Sequence, residues 1–521
     1  MGRGTRDRVA ESRRTRSPRS PARRVKAQVL GIDVGTSGLR AVLLDEHGRT
    51  VDEASAMYGL RVPRPGWTEQ DPDDWWTAAI SALNELWERG HDARSIAAVG
   101  LTGQMHSLVL LDAEGNVCAP AILWSDQRTA AECGEIRERI GVDALLQATG
   151  NVALPGFTAP KVLWVRRHWP NAYERARHLL LPKDFVRFRL TEVRATDVSD
   201  ASGTLLFDVA RRRWAAELLR TLQIDQSLLP PALEGTAYSG SISARAAQLT
   251  GLVAATPVIA GGGDNAAAAV GLNAVDPGVL MLSIGTSGVL FAPVREYPSS
   301  IDGRLHVFCH ALPDRWHLMA VTLSAGGSLR WLRDVLAPLA PEEGYDWLMQ
   351  RATEAPSGSD GLVFLPYLTG ERTPYADPNA RGAFIGLHLG HRLEHLVRAV
   401  LEGVAFSQRQ GLELIRDAGA TPNVIRGAGG GLQSALWRQI LADALEVELQ
   451  TTQAPVGAAR GAAVLAGLGV GAYAHADVGI DWASQRAQVP DQERQANLAA
   501  LWRAYRGLYP ALMPAFVELA H

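Results

Sequence analysis

The tetrapeptide Gly-Thr-Ser-Gly occurs as Gly35-Thr36-Ser37-Gly38 and again as Gly285-Thr286-Ser287-Gly288, 250 positions later. Apolar runs flank each copy, residues 29–33 and 39–45 around the first and residues 279–284 and 289–293 around the second. Four turn-forming residues between two strand-length runs predict a β-hairpin. One such tip is only a turn. Two, each leaving a similar strand, predict a duplicated domain with a cleft between the copies. Tips of this kind offer backbone N–H groups and the hydroxyls of Thr36, Ser37 and Thr286 to phosphate oxygens. Asp33 ends the first strand, where a carboxylate can help hold a hydrated magnesium ion.

Between the hairpins, Pro257-Val258-Ile259-Ala260 runs through Gly261-Gly262-Gly263 into Asp264-Asn265 and an alanine-rich segment, residues 266–271. A strand that passes through glycine into a helix leaves free N–H groups at the helix start, here with one carboxylate beside them. Asp264 reads either as the N-cap of that helix or as a functional carboxylate. A second strand, residues 424–426, leads through Gly427-Ala428-Gly429-Gly430-Gly431 into a helix predicted over residues 434–446. Bare backbone there can seat a nucleotide base or ribose that side chains would exclude. It is not a full dinucleotide fingerprint, because Leu432 stands where a third spaced glycine is needed.

The remaining pattern is of mixed α and β type. Residues 74–89 predict an amphipathic helix with Trp76, Ile80, Leu83 and Trp87 on its apolar face. Residues 97–102 predict a strand, followed by the turn Gly103-Gln104-Met105-His106-Ser107 and another strand over residues 108–112. Met105 and His106 read as core side chains or as ligands. Trp124, Asp126 and Arg128 read as a sugar-contacting set or as a paired surface Asp and Arg. Residues 360–368 predict a buried strand and residues 395–411 a helix.

Charge and rare residues exclude several chemistries. Residues 1–26 carry ten basic side chains against Asp7 and Glu11, so with the whole chain at −3 the rest holds −11. An acidic body argues against a nucleic-acid groove, and the Arg-, Ser- and Pro-rich start is expected to be disordered. No apolar run reaches the about 18 residues of a membrane span. Lysine occurs only as Lys26, Lys161 and Lys183, none preceded by glycine, which excludes a P-loop. Cys118, Cys133 and Cys309 are odd in number and far apart, as expected of reduced thiols in a cytoplasmic protein.

Two longer patterns resemble the FGGY family of carbohydrate kinases: residues 156–165, beginning Gly156-Phe157-Thr158-Ala159-Pro160-Lys161, and Gly382-Ala383-Phe384-Ile385-Gly386-Leu387, with His395-Leu396 and residues 399–402. The resemblance runs from about residue 29 to about residue 471. Residues 103–106, 181–184 and 196–203 resemble its pentulose branch in particular. It implies an α/β fold of two actin-like, ribonuclease-H-like domains with an interdomain cleft. The expected division is a basic tail (1–26), a sugar-binding domain (27–272), a nucleotide-binding domain (273–485) and a helical segment (486–521). By similarity Asp264 is the general base, with Asp33 supporting magnesium, directly or through water, and the phosphates. Gln104, Met105, His106 and Asn265 would contact the sugar. Thr36, Ser37, Gly285, Thr286, Gly429, Gly430 and Gly431 would contact ATP. The implied partners are a small sugar, ATP and Mg2+, without nucleic acid or membrane, and a homodimer is admitted.

One departure stands out. Relatives commonly carry Ala, a basic residue and Ser-Pro after the glycine loop, whereas this chain has Leu432-Gln433-Ser434-Ala435, so no basic phosphate contact is expected from position 433. An actin- or chaperone-like ATPase and a non-catalytic sugar-responsive regulator use the same hairpins. The Asp264-Asn265 and Met105-His106 pairs weigh against the first, and intact Asp33, Asp264 and Thr286 against the second. Kinases of a related pentulose, deoxy-ketose or aldonate remain alternatives. An aldonate would call for a cation, and neither the Met105-His106 nor the Asp264-Asn265 segment contains one.

Overall fold

A computed structural model describes residues 1–2, 27–299 and 301–519. Apart from Met1 and Gly2, the segment expected to be disordered lies outside them. Both predicted hairpins form. The first half contributes β1 (Gln28–Val34), β2 (Gly38–Leu44), β3 (Thr50–Met57), β4 (Ile96–Gly103), β5 (Tyr238–Ser241) and β6 (Pro257–Gly263). The second contributes β7 (Val279–Ile284), β8 (Gly288–Val294), β9 (His306–Cys309), β10 (Trp316–Thr322), β11 (Val424–Ala428), β12 (Glu448–Thr451) and β13 (Arg486–Gln488).

These strands build one sheet of order β5-β6-β4-β1-β2-β3 and another of order β9-β10-β8-β7-β11-β12-β13. In each, the hairpin and a third strand pair antiparallel: β1, β2 and β3, or β7, β8 and β10. The leading hairpin strand then pairs in parallel with β4 or β11, which pairs in parallel with β6 or β12. The repeat read from the two tips is thus a repeat of strand order. Parallel neighbours need long crossovers, and these are mainly helical.

The helices that position the cleft are α1 (Pro72–Glu88), α2 (Thr158–His168), α3 (Pro182–Thr191), α4 (Asp264–Gly271), α5 (Gly326–Leu336), α6 (Leu393–Asp417), α7 (Ala435–Leu445), α8 (Ala458–Gly469) and α9 (Gln492–Leu519). Helices α4 and α8 share one apolar core with residues of both sheets, including Val29 and Ala98 on one side and Met281 and Phe291 on the other. Their small residues permit close packing. A Cβ on Gly461 of α8 would sit 1.7 Å from the Ala267 carbonyl oxygen of α4. A side chain there would push the backbones apart at a cost of about 1–3 kcal/mol.

Two local expectations change. The fully buried side of α1 carries Trp75, Ala79, Ala82 and Leu86 beside Leu83, while Trp76, Ile80 and Trp87 are only half-buried. With adjacent tryptophans the apolar stripe is ambiguous in sequence. Trp75 takes the inside because its indole N–H reaches Gln70 Oε1 at 3.0 Å, satisfying the polar end of a buried ring. The strand expected over residues 360–368 shrinks to Val363–Leu365. Asp360 adopts φ 49°, which breaks the strand at one end, and Pro366 follows it at the other. Among the described residues no helix is long and apolar enough to cross a membrane.

A candidate active site at the strand ends of two related sheets

Strands β1, β4 and β6 lie side by side and parallel, with Asp33 opposite Thr102 and Gly263 opposite Gly103. Side chains leaving their carboxyl ends therefore converge, as ligand-binding groups do at the ends of parallel sheets. Asp33 comes from β1, Gln104-Met105-His106 follow β4, and Asp264-Asn265 follow β6. Met105 packs on the last residue of β6: a Cβ on Gly263 would lie 2.9 Å from its Sδ. Asp264 is the first helical residue of α4, and Gly263 occupies the cap position, so the N-cap reading does not hold.

Asp264 Oδ1 accepts from the backbone and side-chain nitrogens of Asn265 at 2.7 and 2.9 Å. That uses one of the two Asn265 amide N–H donors and leaves the other, with the amide oxygen as an acceptor, for a ligand. Burial pushes the Asp264 carboxyl up to about 6, against the pull of those two donors. Asp33 is pushed up to about 7 by burial and then by the negative charge of Asp264, with Arg40 opposing. Asp33 Oδ1 is buried without a hydrogen-bond partner.

His106 sits at φ 69°, and its Nδ1 lies 2.5 Å from the Gly203 carbonyl oxygen. Nδ1 must carry the proton in that contact, so Nε2 is an acceptor whenever the ring is neutral. The ring stays neutral because burial, assisted by the charges of Lys161 and Arg372, lowers its pKa to about 3 despite the Gly203 bond. Lys161 Nζ ties the His106 and Gly156 carbonyl oxygens together at 2.9 and 2.7 Å. Gln104, by contrast, is buried and engaged within the protein, donating to Gly35 O and Gln70 Oε1 at 3.3 and 3.1 Å. It positions the first hairpin tip.

In the second half, Gly285, Thr286, Gly430 and Gly431 line one cavity of 790 Å³ with Arg330 and Tyr345. Gly429, at φ 107°, lies on an adjoining hollow of 420 Å³. Ser434 caps α7 through the Trp437 N–H at 3.3 Å, so the glycine loop ends on a helix start as expected. Arg330 of α5 donates to Thr286 Oγ1 at 2.6 Å. Arg330 thus brings a cation to the cavity from another element, while position 433 contributes Gln433. At the first tip, Thr36 accepts from Trp124 Nε1 at 2.9 Å and faces Gln104 Oε1 at 3.4 Å, and Ser37 is exposed.

Sequence reasoning missed several supports. The Asp126–Arg128 pair is buried rather than on the surface, bonded at 2.7 Å with Arg128 3.8 Å above the Trp67 ring. Lys183, fully buried, meets Asp184, Asp197 and Asp200 at 2.6, 2.9 and 3.1 Å. Ser199, whose N–H bonds Asp197, accepts from Gly263 N at 3.0 Å, bracing the end of β6. The signal was the rarity of lysine: both lysines of the folded body are buried beside this site.

Two sheets of one topology, facing carboxylates on one side and a glycine-lined cavity on the other, define a two-domain actin-like phosphotransferase fold. Residues 28–271 match the N-terminal domain of the FGGY family of carbohydrate kinases, and residues 280–470 match its C-terminal domain. The chain belongs to that family and is a carbohydrate kinase, for which ATP is the implied co-substrate. It is 40% identical over 487 residues to a protein named xylulose kinase from Escherichia coli K12, covering 93% of this chain and 99% of that protein. A crystal structure titled as a "xyloylose kinase" from Brucella ovis is similar at TM-score 0.88 and 38% identity, covering 94% of this chain and all of that one. A gluconate kinase from Lactobacillus acidophilus superposes at TM-score 0.88 with 27% identity, covering 95% and 100%.

Proposed function

We propose that this protein transfers the γ-phosphate of ATP to the C5 hydroxyl of D-xylulose, giving D-xylulose 5-phosphate and ADP. The observation that carries the reading is the convergence of Asp264-Asn265 with Met105-His106 at adjacent strand ends, in a chain whose close relatives are named xylulose kinases. Asp264 takes the proton of the attacking hydroxyl, and its raised pKa places it near neutral pH, where a general base works best. Met105 walls the carbon skeleton, while His106 Nε2 and the Asn265 oxygen accept from hydroxyls of defined configuration. Residues 27–272 hold the sugar and residues 273–485 the nucleotide, and Leu498, Trp502, Tyr505 and Phe516 of α9 pack into the core of the second half.

Thr286, Gly285 and the glycines of residues 429–431 seat the nucleotide, and Thr36 and Ser37 approach its phosphates from the other half. The unpartnered Asp33 Oδ1 fits a water of a hydrated magnesium ion. No group of three or more His, Cys, Asp or Glu among the described residues forms a metal cage, so most ligands would be phosphate and water. A magnesium ion held there would supply charge neutralisation to the phosphates. The buried free thiols suit a reducing cytoplasm.

A coupled ADP-release assay with D-xylulose, D-ribulose, L-ribulose, L-fuculose, gluconate and glycerol tests the assignment, with product NMR to locate the phosphate. D-xylulose is expected to show the highest kcat/KM. Another sugar better by tenfold, about 1.4 kcal/mol of transition-state preference, would overturn the substrate and leave the kinase.

A further inference from the structure

Arg372 belongs to the second half, in the loop Gly370-Glu371-Arg372-Thr373-Pro374, yet it reaches the sugar-side residues of the first. Hydrogen bonds to both sides hold the loop at the end of β10: Thr373 N to Val321 O at 3.0 Å, Val321 N to Thr373 Oγ1 at 3.1 Å and Leu323 N to Glu371 Oε1 at 2.9 Å. Arg372 Nη2 comes within 3.8 Å of where a Cβ on Gly156 would stand. Gly156 is in turn tied to His106 through Lys161. The aldonate argument from sequence therefore needs correction, since folding brings a cation that neither sugar-side segment contains.

Arg372 is half-buried, and its guanidinium donates to no acceptor among the described residues; its backbone is bonded, the N–H donating to Glu371 Oε1 at 2.7 Å and the carbonyl oxygen accepting from Ala376 N at 2.6 Å. The guanidinium nitrogens are not among the buried unpartnered atoms, so water reaches them, and a ligand that displaces this water must offer oxygens to the fork in its place. Its charge acts on His106 and His306, while Met105 packs on Gly263 beside Asp264. Arg372 thus stands at the Gly156–His106 end of the pocket. Within the proposed function, where Asp264 faces O5, that end holds the C1 hydroxyl and C2 carbonyl.

We infer that Arg372 is a specificity-determining residue that donates hydrogen bonds to the C1–C2 oxygens of the sugar, so that the second half reads the substrate end opposite the phosphorylated hydroxyl. A site built on such donors rejects ligands lacking the oxygens, because the guanidinium is then left unpaired. The same fork pairs well with a carboxylate, which makes an aldonate a useful probe.

The test compares Arg372→Gln and Arg372→Lys with wild type on D-xylulose and on 1-deoxy-D-xylulose, with melting temperatures as a fold control. Arg372→Gln should lower kcat/KM for D-xylulose about 10- to 100-fold, mostly through KM, with the KM for ATP unchanged. The loss with the 1-deoxy sugar should be at least about fivefold smaller, and Lys should restore part of it. Equal losses on both sugars, a raised KM for ATP, or an unchanged Arg372→Gln would overturn the inference. A second arm needs no turnover: D-xylonate titrated by tryptophan fluorescence without nucleotide should bind wild type at least about tenfold more tightly than Arg372→Gln. If wild type fails to phosphorylate D-xylulose, the substrate reading falls, and the xylonate arm alone judges Arg372, equal affinities counting against it.

Discussion

The two halves share a strand order but end their strands differently. In the first, β1, β4 and β6 deliver Asp33, Met105-His106 and Asp264-Asn265. In the second, the corresponding β7 and β11 deliver Gly285-Thr286 and the glycines of residues 429–431. In the proposed function one copy presents charge and shape to a sugar, and the other presents bare backbone to a nucleotide. The lesson is that a duplicated sheet fixes where chemistry can sit, while a handful of residues past the strand ends decides which chemistry it is.

The hardest way to break that comparison is to remove the charge that distinguishes the first copy. Asp264→Asn should lower kcat about 10²- to 10⁴-fold and leave sugar binding in place. Near-wild-type turnover in a folded variant would take Asp264 out of the mechanism. Stability gives an independent reading. The folded pKa of Asp264 lies above the ordinary 3.8, so its contribution is fully present below that value and is lost as pH rises through about 6. Asparagine escapes that loss, and the variant should melt no lower than wild type at pH 8.

A smaller effect comes from titrating the pair instead of deleting it. Asp33 and Asp264 are pushed to about 7 and about 6, and because they interact, the apparent values belong to both. A base must be deprotonated to work, so kcat/KM should fall about tenfold per pH unit on the acid side of a limb between 6 and 7. In Asp33→Asn the residual activity should keep a limb near 6. His106, held down at about 3, should add none above pH 5. A limb unaltered by either Asp substitution would place the titrating group outside these strand ends.

How far the comparison could be read from sequence depends on how local each feature is. The hairpins, the strand–glycine–helix entry to Asp264 and the helix after the second glycine run are set by neighbours within a few residues, and each formed as expected. The inward face of α1 was not legible, because Trp75 and Trp76 are equally apolar and only tertiary contacts, with Gln70 and the Phe185 ring, separate them. Nor was the arrival of Arg372 beside His106, which depends on the loop after Leu368 docking at the end of β10. The packing of α8 against β1 and α4 is likewise a long-range fact, written in small residues whose partners are nearly 200 to more than 400 positions away. Cations fared worst: the sequence showed which were rare, not which were buried or aimed at the cleft.

The finest test asks whether the two identical tips do identical work. Thr36 and Thr286 occupy the same place in the same tetrapeptide, but Thr36 bonds Trp124 and Gln104 within its own half, whereas Thr286 takes a cation, Arg330, at the edge of the 790 Å³ cavity. Valine matches threonine in shape and removes only the hydroxyl. In Thr286→Val the Arg330 guanidinium loses its acceptor beside the nucleotide, so the KM for ATP should rise about 3- to 10-fold, with sugar KM unchanged. In Thr36→Val the freed indole belongs to Trp124, which is 39% exposed and can bond water instead. That loss should therefore stay below about threefold and touch ATP and sugar kinetics alike. Equal shifts in the KM for ATP from both variants would show that the closed complex uses the tips symmetrically, and the contrast between the halves would then be confined to Asp33, Asp264 and the residues after β4.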